Sequence, residues 1–119
     1  MNILVIDDEE LICWSLKRAI ESHGEHNVTC VHTGNDALTN IFKNRYDLII
    51  TDIRLPDISG LEIIKTLKQL NIDTPVIIMS AHLRNDLIFD ETDYGIVSFV
   101  SKPFQIEEIL NMMPNNPIF

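Results

Sequence analysis

The amino-acid sequence predicts one α/β domain, an open five-stranded parallel sheet with helices on both faces. Three observations carry this. Five short apolar runs recur along the 119 residues, helical patterns lie between them, and the runs are continuous instead of alternating. Continuous β-branched runs suit strands buried on both sides, as parallel sheets require.

Ile3-Leu4-Val5-Ile6 is the first strand and Val28-Thr29-Cys30-Val31 the weaker second. Leu48-Ile49-Ile50-Thr51, Val76-Ile77-Ile78-Met79 and Ile96-Val97-Ser98-Phe99-Val100 are the third, fourth and fifth. Ile12, Leu16, Ala19 and Ile20 fall at helical spacing, with Gly24 as a C-terminal stop. Asp36 to Lys43 offers Ala37, Leu38, Ile41 and Phe42; Leu61 to Leu70 offers Ile63, Ile64, Leu67 and Leu70. A fourth helical segment is placed over Leu83 to Tyr94, where Leu87 and Ile88 are crowded by Asp86, Asp90, Glu91 and Asp93. Ile106, Ile109, Leu110 and Met113 make a short last helix, which Pro114 ends. The domain is assigned to residues 1–119, with a tail from about 114 around Asn115-Asn116-Pro117.

A 45% hydrophobic content supplies a core and excludes a disordered chain. The net charge of −9 disfavours direct nucleic-acid binding, which relies on Lys and Arg. No apolar run reaches the ~20 residues of a membrane helix. The start, Met1 to Ile6 and then Asp7-Asp8-Glu9-Glu10, lacks the basic, longer apolar pattern of a secretory signal. A cytoplasmic protein with no membrane contact is therefore expected. Cys13 and Cys30 are the only cysteines, lack CxxC spacing, and are read as reduced core thiols.

Ligands of open parallel sheets bind beyond the carboxyl ends of the strands. Strand one runs into Asp7-Asp8, strand three into Asp52, strand four into Ser80, and strand five into Lys102-Pro103. Taken singly, each is a common turn or capping residue, and Asp7 or Asp8 would serve as a helix N-cap. Together they would put three carboxylates, an ammonium and a hydroxyl on one rim. Clustered carboxylates need a cation, and Mg²⁺ takes such oxygens together with water and a phosphate oxygen. A metal, a carboxylate nucleophile and two donors are the parts of in-line phosphoryl transfer to a carboxylate.

These residues resemble the receiver domain of two-component response regulators, over Ile3 to about Met113. The motifs are Ile3-Leu4-Val5-Ile6-Asp7-Asp8-Glu9, Asp47 through Pro56 with Gly60 following, Met79-Ser80-Ala81, and Ser101-Lys102-Pro103-Phe104. The resemblance implies a flavodoxin-like (βα)5 sheet in the order 2-1-3-4-5. It implies Asp52 as phosphoacceptor, supplied by a phosphohistidine on a sensor histidine kinase. Asp8, Asp52 and the main-chain carbonyl of Arg54 would ligate Mg²⁺, with Asp7 acting mainly through a water. Ser80 would bond the phosphoryl group, Lys102 would pair with it, and Lys102-Pro103 would be cis. Phe99 matches the aromatic that turns inward on activation and remodels the face of helix four, strand five and helix five. The implied partners are that kinase, a downstream effector domain or protein, and a phosphorylation-dependent second copy.

Some features depart from the family pattern. The acidic stretch Asp86 to Asp93 is unusual in that place, and the short last helix weakens dimerisation through its face. Arg54 and His82 stand two residues after Asp52 and Ser80, at positions that vary in the family and affect phosphoryl lifetime. The wording around Asp52 and Ser80 looks most like receivers of the nitrogen-regulatory type, so the chain is expected to be a single-domain regulator or an excised receiver. An aspartyl-nucleophile hydrolase of the haloacid dehalogenase type would need an Asp where Arg54 stands. A receiver that binds proteins without being phosphorylated would not require the full set of site residues, all of which are present.

Overall fold

The structure, a computed structural model, describes residues 1–82 and 97–114. Five parallel strands form one sheet: β1 Asn2–Ile6, β2 Asn27–Val31, β3 Leu48–Asp52, β4 Val76–Ser80 and β5 Val97–Ser101. Their order is β2-β1-β3-β4-β5, as expected. The chain therefore reverses its direction of travel across the sheet between β1 and β3, the position where open α/β sheets build ligand sites. Register is continuous there, with Ile3 opposite Leu48 and Ile6 opposite Thr51.

Alternate residues of each strand feed two cores. Ile3, Val5, Leu48, Ile50, Ile77 and Met79 face α1 (Glu10–Ser22) and the C-terminal helix (Ile106–Met112). Leu4, Ile6, Ile49 and Ile78 face α2 (Gly34–Lys43) and α3 (Gly60–Gln69). The central strands β3 and β4 are buried along their whole length, which explains their unbroken apolar runs.

Helix starts are set locally. The Thr33 hydroxyl accepts the Asp36 amide at 3.1 Å and caps α2, which starts at Gly34, two residues before the expected start at Asp36. The Ser59 hydroxyl accepts the Leu61 amide at the start of α3. Gln105 and Glu108 form a reciprocal capping box on the C-terminal helix. Neither Asp7 nor Asp8 caps α1: Glu9 is its N-cap residue, without a side-chain cap bond.

Helix ends differ in one respect from expectation. α1 stops at Ser22 with His23 as C-cap, so the stop comes before Gly24. The left-handed residue instead follows α3, where Asn71 has φ 55° and the Ile72 amide returns to the Leu67 carbonyl at 2.9 Å. Pro114 ends the last helix as anticipated, since the preceding Met113 is already extended. The segment expected to be helical over Leu83 to Tyr94, with its acidic stretch, lies outside the described residues, as do Ile96 and the tail from 115. No helix among the described residues is long and apolar enough to cross a membrane.

Candidate active site on the strand rim

The expected strand-end residues do gather on one rim. Asp52 and Ser80 are the last residues of β3 and β4, while Asp7 directly follows β1 and Lys102 directly follows β5. Each strand holds its side chain because the backbone beneath is paired. The Asp7 amide donates to the Val31 carbonyl at 3.1 Å, Ile53 to Met79 at 3.0 Å, and Lys102 to Ser80 at 2.7 Å. The Lys102-Pro103 peptide is cis, as the resemblance implied.

Lys102 is the hub. Its ammonium donates to Asp52 Oδ2 at 2.7 Å and to Asp7 Oδ2 at 2.8 Å, with Glu9 at 3.6 Å. The other oxygens are also engaged: Asp7 Oδ1 accepts the Glu9 amide and Asp52 Oδ1 the Arg54 amide. Asp7 is fully buried and Asp52 nearly so, whereas Asp8 stands at the solvent side. One carboxylate oxygen each from Asp7, Asp8 and Asp52 lies within 4.8 Å of the others.

Charge at this rim is out of balance. Burial pushes the Asp7 carboxyl above the usual carboxylate range, and bonds from Lys102 and the Glu9 amide offset this only in part. For Lys102, burial alone would favour the neutral amine. The bonds to Asp52 and Asp7 outweigh it and hold the ammonium above the usual lysine range. One ammonium among three carboxylates leaves surplus negative charge. Hard oxygen donors with that surplus suit a divalent cation such as Mg²⁺.

Ser80 is fully buried, and its Oγ accepts the His82 amide at 3.0 Å. Arg54 is exposed and its backbone bridges to Ser59, closing the loop beside Asp52. Phe99 lies away from the carboxylates: it is half-buried on β5, opposite Ile78, and packs on the α2–α3 side. Gly60 is required by close approach, because a Cβ there would sit 2.5 Å from the Asp52 carbonyl oxygen. A groove of about 570 Å³, lined in part by Leu11, Ile12, Ala81, Phe104 and Ile106, opens beside Lys102.

Three supports were not anticipated. His32 Nδ1 donates to the Asp7 carbonyl at 2.8 Å, and Cys13 Sγ donates to the same oxygen at 3.3 Å. Asp57 reaches across to α2, accepting the Gly34 and Asn35 amides at 2.8 Å each. His32 was findable, since it directly follows β2 and so falls under the same strand-end rule.

The sequence profile described as the response regulator receiver domain matches residues 3–114. The chain belongs to that family. The receiver is 38% identical over 112 residues to the uncharacterized transcriptional regulatory protein YkoG of Bacillus subtilis, covering 92% of this chain and 47% of YkoG. It is 36% identical to the DNA-binding transcriptional regulator NtrC of Proteus hauseri, covering 94% of this chain and 24% of NtrC. It thus spans about half or a quarter of the length of these relatives. Among solved structures, the response regulator TrrA of Thermotoga maritima in complex with Mg²⁺-BeF is 33% identical, with a TM-score of 0.78. That match covers 92% of the receiver and 93% of TrrA. The relatives are named as regulators, and NtrC is among them.

Proposed function

We propose that this receiver is a phosphorylation-activated signalling switch in which Asp52 accepts a phosphoryl group from a phosphohistidine of a sensor histidine kinase. The observation that carries the reading is the single ammonium of Lys102, bonded at once to Asp52 and Asp7 amid three converging carboxylates. In the transfer, an Asp52 oxygen attacks phosphorus, the phosphorus–nitrogen bond breaks, and its electron pair stays on the imidazole. Such transfers depend on positioning and charge neutralisation more than on acid–base chemistry. Lys102 supplies a fixed positive charge beside the accepting oxygen. The Arg54 amide holds the other Asp52 oxygen and so fixes the carboxylate plane.

Asp8, Asp52 and the main-chain carbonyl of Arg54 would hold Mg²⁺, with Asp7 contributing through a water. When bound, the ion neutralises charge on the transferred group's oxygens. Ser80 donates its hydroxyl to a phosphoryl oxygen and exchanges its bond with the His82 amide in turning. Phe99, half-buried at present, then rotates inward and relays the state through the face of residues 83–94, β5 and the C-terminal helix. The apolar groove beside Lys102 gives the phosphodonor protein a surface adjoining the site.

The chain acts as a regulatory phosphoacceptor whose only chemistry is its own phosphorylation and dephosphorylation. Residues 1–119 are the receiver, with a tail from about 114, working in the cytoplasm on an effector domain or protein. Phosphorylation-dependent pairing with a second copy belongs to the same reading, as does the absence of direct nucleic-acid or membrane contact through this chain. The test is incubation with acetyl phosphate and Mg²⁺, followed by intact mass measurement. The expected result is one acid-stable, base-labile phosphoryl adduct, lost in EDTA and in Asp52→Asn. No adduct on the wild type, or an undiminished one on Asp52→Asn, overturns the reading.

A further inference from the structure

We propose that Cys13 and Cys30 form a peroxide-sensitive dithiol that closes into a disulfide, tying α1 to edge strand β2 beneath the carboxylate rim. The two thiols are free and share one core cluster, with Cys30 packed against the group of residues that includes Cys13. Cys30 Sγ also donates to the Cys13 carbonyl at 3.4 Å, so the sulfur already lies over the other residue's backbone. Their exposure differs in the way a sensing pair requires. Cys30 is half-buried on the outermost strand of the sheet, while Cys13 is buried on the inner face of α1. One sulfur can meet a small oxidant and the other is shielded and held as the resolving partner.

The surroundings favour thiolate at the outer sulfur. The Lys17 ammonium is anchored on β2 through the Val28 carbonyl at 2.7 Å. The neighbouring Cys13 thiol, followed by Lys17 and His32, offsets burial and lowers the Cys30 thiol to about 7. The Cys30 thiolate attacks one oxygen of a hydroperoxide; the O–O bond breaks, leaving a sulfenic acid and, after protonation, water from hydrogen peroxide. The Cys13 sulfur then attacks the Cys30 sulfur, the S–O bond breaks, and the thiol proton leaves with hydroxide as a second water. Two electrons pass from the thiols to the peroxide. Closure also removes the S–H donor that Cys13 gives to the Asp7 carbonyl.

The test uses the full chain with hydrogen peroxide, then iodoacetamide, intact mass measurement and tryptic mapping without reductant. Trypsin cuts after Lys17, Arg18 and Lys43, so the two cysteines lie on separate peptides. The expected result is a monomer lighter by two hydrogens, both thiols protected, and the two peptides joined. Cys13→Ser should leave Cys30 as a sulfenic acid that dimedone traps, and Cys30→Ser should leave Cys13 unreacted, with circular dichroism confirming that both fold. Asp52→Asn should form the link as the wild type does, so this inference stands apart from the phosphoacceptor reading. A link between two chains overturns it. So does Cys30 reaching sulfinic acid while Cys13 still alkylates, or an unchanged mass.

Discussion

Replacing Lys102 by Met keeps a flexible apolar stem of nearly the same reach and removes the ammonium. That ammonium makes bonds of 2.7 and 2.8 Å to Asp52 and Asp7, with the lysine side chain 11% exposed. Breaking one side of a buried ion pair costs about 3–5 kcal/mol. The rim is open on the Asp8 side, so the lower end applies: about 3 kcal/mol at neutral pH in EDTA. For a domain of this size the unfolding entropy is about 0.25 kcal/mol/K, so Tm should fall by about 12 °C. Thermal unfolding followed by circular dichroism measures it. Two further signatures belong to the electrostatic cause. Mg²⁺ should recover part of the loss, because it neutralises the same carboxylates.

The pH dependence has a definite sign. Burial already raises the Asp7 carboxyl above its unfolded value of 3.8, and losing Lys102 raises it further. A raised carboxyl favours the folded state below 3.8 and loses that advantage as pH rises through its folded value. The defect of Lys102→Met should therefore shrink as pH falls toward 3.8. A loss under about 0.5 kcal/mol in EDTA, the range of an ordinary surface substitution, would refute the reasoning. So would a large loss that neither Mg²⁺ nor acid reduces.

Gly60→Ala forces a Cβ against the Asp52 carbonyl oxygen, so it should cost about 1–3 kcal/mol in urea unfolding and slow labelling by acetyl phosphate. Ile50→Ala empties a fully buried site in the central strand and should cost about 3 kcal/mol by the same urea assay. Asp57 is held below the usual carboxylate range by bonds from the Gly34 and Asn35 amides. Its contribution is present above 3.8 and lost as pH falls through its depressed value, so Asp57→Asn should flatten the acid limb of stability below 3.8.

The strands were legible because a stretch such as Leu48 to Ile50, covered on both faces, is built from apolar residues alone. The rim was legible for the complementary reason: polar residues directly after such runs have to emerge together at one edge of a parallel sheet. Ends of helices were less legible. α1 begins at Glu10 after Glu9, an N-cap residue without a side-chain cap bond, and its stop uses His23 before Gly24 is reached. What local pattern could not convey was reach across the fold. Asp57 caps a helix 23 residues away, and Lys102 meets Asp7 across 95 residues. Cys13 looked like any inward residue of α1, and only the return of β2 alongside it brings its sulfur to the Asp7 carbonyl and near Cys30.

The central claim is that Asp52, among three adjacent carboxylates, is the one that takes the phosphoryl group. Borohydride reduction of the acetyl-phosphate-labelled protein converts an aspartyl phosphate to homoserine, which peptide sequencing by mass spectrometry places at a single residue. Homoserine at position 52 alone, formed only with Mg²⁺, is the predicted result. Homoserine at position 7 or 8, or none despite a labelled protein, would contradict it.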